Sequence, residues 1–435
     1  LQKGRLECRP FLWKPNPALS AAKEQDWVDD LLTHMLSDLD RLMRERDLDA
    51  LIVPMHEAMH PSFRWITRGA KVTRGYAIKL AGRDPILISY PMERDEAAAT
   101  GLATRLIHDF GYDAIFKSAP NGIAAYADFF DVVLRELGAE SSLAIVGNLP
   151  FPLYLGIAEG LETKGWRVWR GSDDLVQLAR KRKEPWEIAA IRSVGERTEQ
   201  VVDRVREVLR ESTIAGDHLV RDNRPLTLGD LKRLVSREIS RLGMLEDHDT
   251  ILSQGRDAGI PHSRGDADAI VRPGVPIVLD IFPADRETGY FFDLTRTFCV
   301  GPIPEELHRI HADVLEAFEL ARREMCAGTL ASSYQTLVCD FFEQRGYATT
   351  RSNPATLEGY VHSLGHGVGL DVHEKPFFGL AATNRDEIEI GDIVTIEPGL
   401  YFPDRNLGVR IEDTLVVGED GRVETLCRSD RGLTP

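Results

Sequence analysis

Four carboxylates set inside apolar strands constrain this chain more than any other feature. Asp280 lies in Ile277-Val278-Leu279-Asp280-Ile281-Phe282 and Asp293 in Tyr290-Phe291-Phe292-Asp293-Leu294-Thr295. Glu397 lies in Ile393-Val394-Thr395-Ile396-Glu397-Pro398, and Glu412 in Val409-Arg410-Ile411-Glu412-Asp413-Thr414-Leu415. A carboxylate is costly in a strand core unless a cation or hydrogen bonds compensate it. A salt bridge explains one such acid readily. Four in matched positions ask for more, and a pair of divalent cations is the natural counter-charge. Strand alternation puts Arg410, Glu412 and Thr414 on one face, and Asp293, Thr295 and Thr297 on one face. Strand pairs sharing a curved sheet bring the four acids to one concave surface.

The surrounding pattern is a diverged duplication. Helical stretches at 186–211 and 228–242 precede strands Pro276–Ile281 and Tyr290–Val300; stretches at 304–326 and 331–345 precede Asp392–Tyr401 and Val409–Val417. Upstream, a helix is expected over Glu24–Arg46 and a strand over Asp49–Pro54. Further strands are expected at Pro85–Tyr90, Asp113–Phe116, Leu143–Val146 and Trp166–Trp169, with helices at Met92–His108 and Ala124–Leu137. That alternation predicts an α/β layer. The composition shifts at Gly171-Ser172-Asp173-Asp174 and Arg180-Lys181-Arg182-Lys183-Glu184-Pro185, where Pro185 suits a first helical turn. The expectation is an α+β protein with an α/β amino-terminal domain over 1–178 and a catalytic domain over 179–435.

Lys plus Arg number 53 against 69 Asp plus Glu, a net charge of −16, which opposes nucleic acid and anionic lipid as partners. No apolar run reaches the ~18 residues of a membrane-spanning helix. Five scattered cysteines form no CxxC pair, and Leu1-Gln2-Lys3-Gly4-Arg5 lacks the apolar stretch of a secretory leader, so a cytoplasmic protein with reduced thiols is expected.

Three histidines, His362, His366 and His373, fall in one glycine-rich run from Val361 to Glu374, and His262 follows Gly259-Ile260-Pro261. Glycines let the backbone approach a ligand closely, and imidazole offers a nitrogen ligand or a neutral hydrogen-bond donor. His56-Glu57-Ala58-Met59-His60 matches the HExxH zinc string, but Pro54 and Pro61 flank it and disfavour the helix that chemistry needs.

Together these residues resemble the pita-bread metallopeptidases, the family of Xaa-Pro aminopeptidases, prolidases and methionine aminopeptidases. The resemblance covers about residues 180–420, with Asp280, Asp293, His366, Glu397 and Glu412 in family order. Residues 1–178 resemble the companion domain of the proline-specific branch and of creatinase, with Arg64-Trp65-Ile66-Thr67-Arg68-Gly69 similar to a short motif there. The resemblance implies two divalent ions, whose identity is not readable from the sequence because Asp, Glu and His ligands suit Mn, Co, Zn or Fe alike. Asp280 would hold one ion through both oxygens. Asp293 and Glu412 would bridge both, and His366 and Glu397 would complete the second. It further implies a hydroxide shared by the ions, Glu397 as proton shuttle, and His262 and His373 as donors to the substrate amide and the oxyanion. His362 would sit by the leaving side, and Arg410 would orient carboxylates.

Three features depart from the family pattern. Ile281-Phe282-Pro283 follows the first aspartate where relatives carry a small residue, Asp280 and Asp293 are 13 positions apart, and a polar insertion occupies about Ser212–Leu228. These leave three activities open: Xaa-Pro hydrolysis of short peptides as aminopeptidase or dipeptidase, the same metal chemistry in carboxypeptidase fashion, or a creatinase-like non-peptidase hydrolase or binding module. A homodimer is expected from the retained companion domain and from Phe63-Arg64-Trp65 as an interface or cleft segment.

Overall fold

The computed structural model of the chain describes residues 36–55, 60–171 and 173–435. They divide into two compact units between Arg180 and Lys181.

The first unit is built on a six-stranded mixed sheet. Its order is Ala103–Leu106, Ile86–Ser89, Gly75–Leu80, Ala50–Met55, Ser142–Ile145, Arg167–Val168. Gly75–Leu80 runs antiparallel to both neighbours, and the other pairs are parallel. The two central strands are buried along their whole length, as unbroken apolar runs predict. Helix Gly122–Leu137 starts where Asn121 Oδ1 accepts the Ala124 N–H at 2.9 Å and ends at Gly138 with φ 83°. Its Phe129, Phe130, Val133 and Leu134 pack with Ile157 and Leu161 of helix Phe151–Thr163.

Several local expectations for this unit fail. Asp113–Phe116 is not a strand but part of helix Tyr112–Ser118, in which Tyr112 and Phe116 stack four residues apart with ring centroids 4.1 Å apart. A short apolar run does not distinguish a strand from a buried helical turn. Met92–His108 is not one helix: helix Arg94–Ala98 stops before Gly101, whose φ is 72°, and the chain continues as strand Ala103–Leu106. Phe63-Arg64-Trp65 lies in helix Pro61–Ile66, with Phe63 and Trp65 buried, so it is core rather than an exposed interface segment. Within the HExxH string, His56 to Met59 lie outside the described residues. His60 is extended and caps helix Pro61–Ile66, its Nδ1 accepting the Ser62 N–H at 3.2 Å.

The second unit repeats helix, helix and sheet as expected, but the expected strands Asp392–Tyr401 and Val409–Val417 are each broken in two, at Glu397-Pro398 and Ile411-Glu412. Of the four acids only Asp280 therefore lies within a strand, and the other three sit at strand ends. Helices Pro185–Glu211 and Leu228–Arg241 precede an antiparallel sheet of Ile251–Gln254, Ile277–Ile281 and Leu294–Phe298. Helices Glu305–Glu324 and Ala331–Gln344 then precede a second sheet of Ile393–Ile396, Asp413–Val417 and Val423–Thr425, with a hairpin of Gly399–Phe402 and Leu407–Arg410 between. Helix Pro185–Glu211 is an amphipathic stripe whose Ile191, Val194, Val201, Val202, Val205 and Leu209 are buried. The polar insertion folds as a meander of Thr213–Ala215, His218–Arg221 and Arg224–Pro225. The basic run before the first helix turns inward. Lys181 and Lys183 are buried, and Lys181 Nζ donates to Glu389 Oε1 at 2.6 Å.

One backbone bridge joins the two sheets at the site. Thr295 N–H donates to Glu412 O at 3.4 Å, and Glu412 N–H donates to Thr295 O at 3.1 Å.

Candidate metal centre

Local structure delivers each acid to that bridge. Asp280 pairs with Thr295 across the first sheet, and Asp293 immediately precedes Leu294–Phe298. Asp293 is fixed through its backbone: its N–H donates to Thr414 Oγ1 at 3.2 Å, and that hydroxyl donates to Asp293 O at 2.8 Å. Glu412 Oε2 accepts from Thr295 Oγ1 at 2.6 Å. Glu397 ends strand Ile393–Ile396, its N–H donating to Leu364 O at 2.8 Å. His366 is held against that strand by Thr395, whose Oγ1 accepts the His366 N–H at 3.1 Å. Gly365 permits this approach, since a Cβ there would sit 2.2 Å from Thr395 O.

Among the described residues, Asp293, His366 and Glu412 offer ligand atoms all within 4.8 Å of one another. His366 Nε2 lies 3.5 Å from Glu397 Oε1 and 3.8 Å from Asp293 Oδ2. Burial pulls His366 down to about 3, aided by the nearby His373, so its ring is neutral at neutral pH. Its Nδ1 faces Gly367 O at 3.1 Å, and a carbonyl only accepts, so Nδ1 carries the proton. Nε2 therefore turns a lone pair toward carboxylate oxygens. Acceptors crowded on acceptors fit a cation, and the tautomer is that of a metal-ligating histidine braced from behind.

The acids give the same answer. Burial, and then the mutual repulsion of Asp280, Asp293, Glu397 and Glu412, raises Asp293 and Glu412 well above the carboxylate range; burial and the Asp280 charge push Glu397 up to about 8, against the opposing pull of Arg410. Asp280 Oδ1 and Asp293 Oδ1 are buried without a hydrogen-bond partner. Oxygen and imidazole donors with unspent lone pairs suit divalent cations, so the residues present fit the metal that the sequence pattern implies. Asp280 Oδ2 accepts from Arg410 Nη2, which orients the carboxylate, while Oδ1 has no hydrogen-bond partner.

Of the remaining predicted residues, His262 and His373 form the rim, while Arg410 is buried and His362 half-buried. His262 and His373 are exposed, and the His373 ring centroid is 4.3 Å from that of His366. Arg410 Nη1 donates to Pro261 O at 3.2 Å, which anchors the segment carrying His262. His362 is pulled down to about 3, chiefly by burial and then by the Arg410 charge, and its Nδ1 faces Ser363 O at 2.8 Å. Nδ1 thus donates, leaving Nε2 to accept from the Tyr401 hydroxyl at 2.9 Å. The Tyr401 oxygen in turn accepts from Arg410 Nη1 at 3.0 Å. The result is a directed chain from Arg410 through Tyr401 to His362. His362 Nδ1 also lies 3.7 Å from Glu397 Oε2.

Sequence reasoning missed Tyr401. Its neighbours Leu400 and Phe402 belong to the core, whereas Tyr401 occupies the alternate face with Gly399. Gly399 makes room for it: a Cβ there would lie 2.4 Å from the Tyr401 hydroxyl. The Gly-Leu-Tyr-Phe alternation was the available signal.

A duplicated fold that gathers buried acids and a braced neutral imidazole at its seam, with hydrogen-bonding histidines on the rim, defines a metal-dependent hydrolase of pita-bread architecture. The chain belongs to metallopeptidase family M24, whose family model matches residues 189–419. It is similar to the Xaa-Pro dipeptidase of Pyrococcus horikoshii, 26% identical over 414 residues, covering 93% of this chain and 99% of that one. Among solved structures it is similar to the prolidase of Pyrococcus horikoshii OT3, with a TM-score of 0.70 at 23% identity over 92% of this chain and 99% of that one. It also matches the X-Pro aminopeptidase of Thermotoga maritima MSB8, with a TM-score of 0.69 at 22% identity over 91% and 98% of the two chains. The chain is a metallo-exopeptidase, and among the described residues no helix is long and apolar enough to cross a membrane.

Proposed function

We propose that this chain hydrolyses short peptides at Xaa-Pro bonds, as a dipeptidase or aminopeptidase, with two divalent cations held by Asp280, Asp293, His366, Glu397 and Glu412. The observation that carries the reading is the Arg410–Tyr401–His362 chain beside Glu397, since His362 and Arg410 are the positions that resemble the proline branch. The similarity to an Xaa-Pro dipeptidase over nearly the whole of both chains supports it. Bound cations supply positive charge that polarises the scissile carbonyl and acidifies water. The protein does the rest. Glu397, at the edge of the buried set, takes the proton of the attacking water at a carboxylate oxygen and returns it to the leaving amide nitrogen. His262 and His373 donate to the substrate amide and to the developing oxyanion. Arg410 orients Asp280 and, through Tyr401, fixes His362 as a neutral ring with its Nδ1 proton on Ser363 O. A homodimer is part of this reading, and light scattering that returns a monomer mass removes it.

Ile281 is buried in the sheet and by alternation faces away from Asp280, so its bulk does not narrow the site. That leaves Phe282 as the altered contour. Mass spectrometry of timed digests with added Mn tests the reading. Xaa-Pro dipeptides are cleaved, and release of the first residue from Xaa-Pro-Xaa peptides separates aminopeptidase from strict dipeptidase. Stepwise carboxy-terminal loss with the Xaa-Pro bond intact refutes it.

A further inference from the structure

We propose that the buried Lys183–Glu374 ion pair is a positioning device for His373, tying the start of the catalytic unit to the rim of the metal centre. Both side chains are only 1% exposed, and Lys183 Nζ donates to Glu374 Oε1 and, at 2.9 Å, to Lys181 O. The lysine itself rests on a fixed backbone, because its N–H donates to Gly391 O at 2.8 Å and Arg182 bridges to Asp392. Glu374 closes the histidine loop. Its N–H donates to Gly367 O at 2.9 Å, and its carbonyl accepts the Gly367 N–H at 2.8 Å. Its carboxylate lies over Gly369, where a Cβ would come within 2.2 Å of Oε1.

His373 and Glu374 are adjacent and point opposite ways, Glu374 into the protein and His373 toward the His366 ring at 4.3 Å. Whatever holds the Glu374 carboxylate therefore sets where the His373 imidazole stands. A buried ion pair adds little net stability over apolar residues of similar volume, so its contribution here is geometric. Misplacing a reacting-site group by about 1 Å costs on the order of 100-fold in rate. Lys183 sits in the basic run that marks the composition shift between the two domains, and nothing in the sequence ties it to the site.

The inference rests on the reading of His373 as a substrate-contacting donor, and the test separates the two. The full chain carrying Lys183→Met with Glu374→Leu removes both charges and leaves neither one unpaired. Expected are unchanged metal content by elemental analysis, a shifted 15N imidazole signal of His373, and kcat on an Xaa-Pro dipeptide lower by about tenfold or more with little change in KM. In that background a further His373→Ala change adds no loss beyond that of His373→Ala alone, because the pair acts through that ring. Glu374→Gln, which keeps the shape and an acceptor for Lys183, is carried alongside. Because it removes the charge that draws Lys183 Nζ to this position and leaves only a neutral contact, it is the variant read if the double change does not fold, with the same expected direction. Normal turnover in His373→Ala refutes the functional reading itself and the inference with it. A slow His373→Ala chain whose loss multiplies with that of the pair, or a pair variant with wild-type kcat and an unmoved His373 signal, refutes the inference alone.

Discussion

Replacing Arg410 with Met separates the electrostatic and metal-binding sides of the site in one measurement. The guanidinium is 2% exposed and donates to Asp280 Oδ2, Thr295 Oγ1 at 3.2 Å, Pro261 O at 3.2 Å and the Tyr401 oxygen at 3.0 Å. Methionine fills much of the volume and donates nothing. Breaking a buried ion pair from one side costs about 3–5 kcal/mol, because the surviving charge stays buried without its partner. At about 2–4 °C per kcal/mol for a unit of this size, the apo chain melts roughly 6–20 °C lower. With saturating divalent metal the deficit shrinks, since a cation at Asp280 replaces the missing positive charge. Thermal unfolding of wild type and variant, each with chelator and with Mn, reads both numbers. An equal fall in the two conditions refutes the reasoning, because Arg410 and the metal would then not be sharing Asp280.

Three further outcomes follow from the same geometry. Gly365→Ala forces a Cβ toward Thr395 O, 2.2 Å away, so metal affinity measured by titration falls tenfold or more, on the scale of lost support for a ligand; unchanged affinity refutes the close-approach argument. Tyr401→Phe cuts the chain between Arg410 and His362 while leaving metal content intact, and kcat/KM on Xaa-Pro dipeptides drops on the order of 10-fold or more; equal kcat/KM refutes a role for the hydroxyl. Glu187, 1% exposed and accepting from Tyr290 and from the Glu184 N–H at 2.8 Å, is pushed up to about 7 by burial. Its raised value means the folded chain keeps a proton that the unfolded chain releases near pH 4.5, so its contribution is fully present below that pH and is lost as pH rises toward 7. In urea unfolding, Glu187→Gln relieves a loss of up to roughly 3 kcal/mol across that window, and parallel pH profiles for the two chains contradict the assignment.

The acids and the glycine-flanked His366 were legible because they break a rule: charged groups in apolar strands and glycines around an imidazole have few inexpensive explanations. Tyr401 was not, because an aromatic residue in an apolar strand reads as core and its hydroxyl leaves no trace in a hydropathy pattern. The fate of Lys181 and Lys183 was hidden for the opposite reason. A basic run beside Pro185 marks a composition shift and shows no partners in the sequence, and only the long-range placement of Glu374, Glu389 and Asp392 turns both lysines inward. In the amino-terminal unit, Asp113–Phe116 lacked the length that separates strand from helix, so the Tyr112–Phe116 stacking decided it.

The bridge between Thr295 and Glu412 also has a consequence for how the protein is made. Asp280 and Asp293 leave the ribosome more than a hundred residues before Glu412, on a sheet that folds with the first pair of helices. The five residues proposed as ligands are not all present until the second sheet is synthesised, and in the folded unit its Glu412 backbone is bridged to Thr295. A complete five-ligand centre therefore cannot form before both halves of this unit exist. A chain that stops short of Glu412 lacks the complete proposed centre, and the stabilisation that an ion gives through all five side chains is available only to chains whose two halves have met.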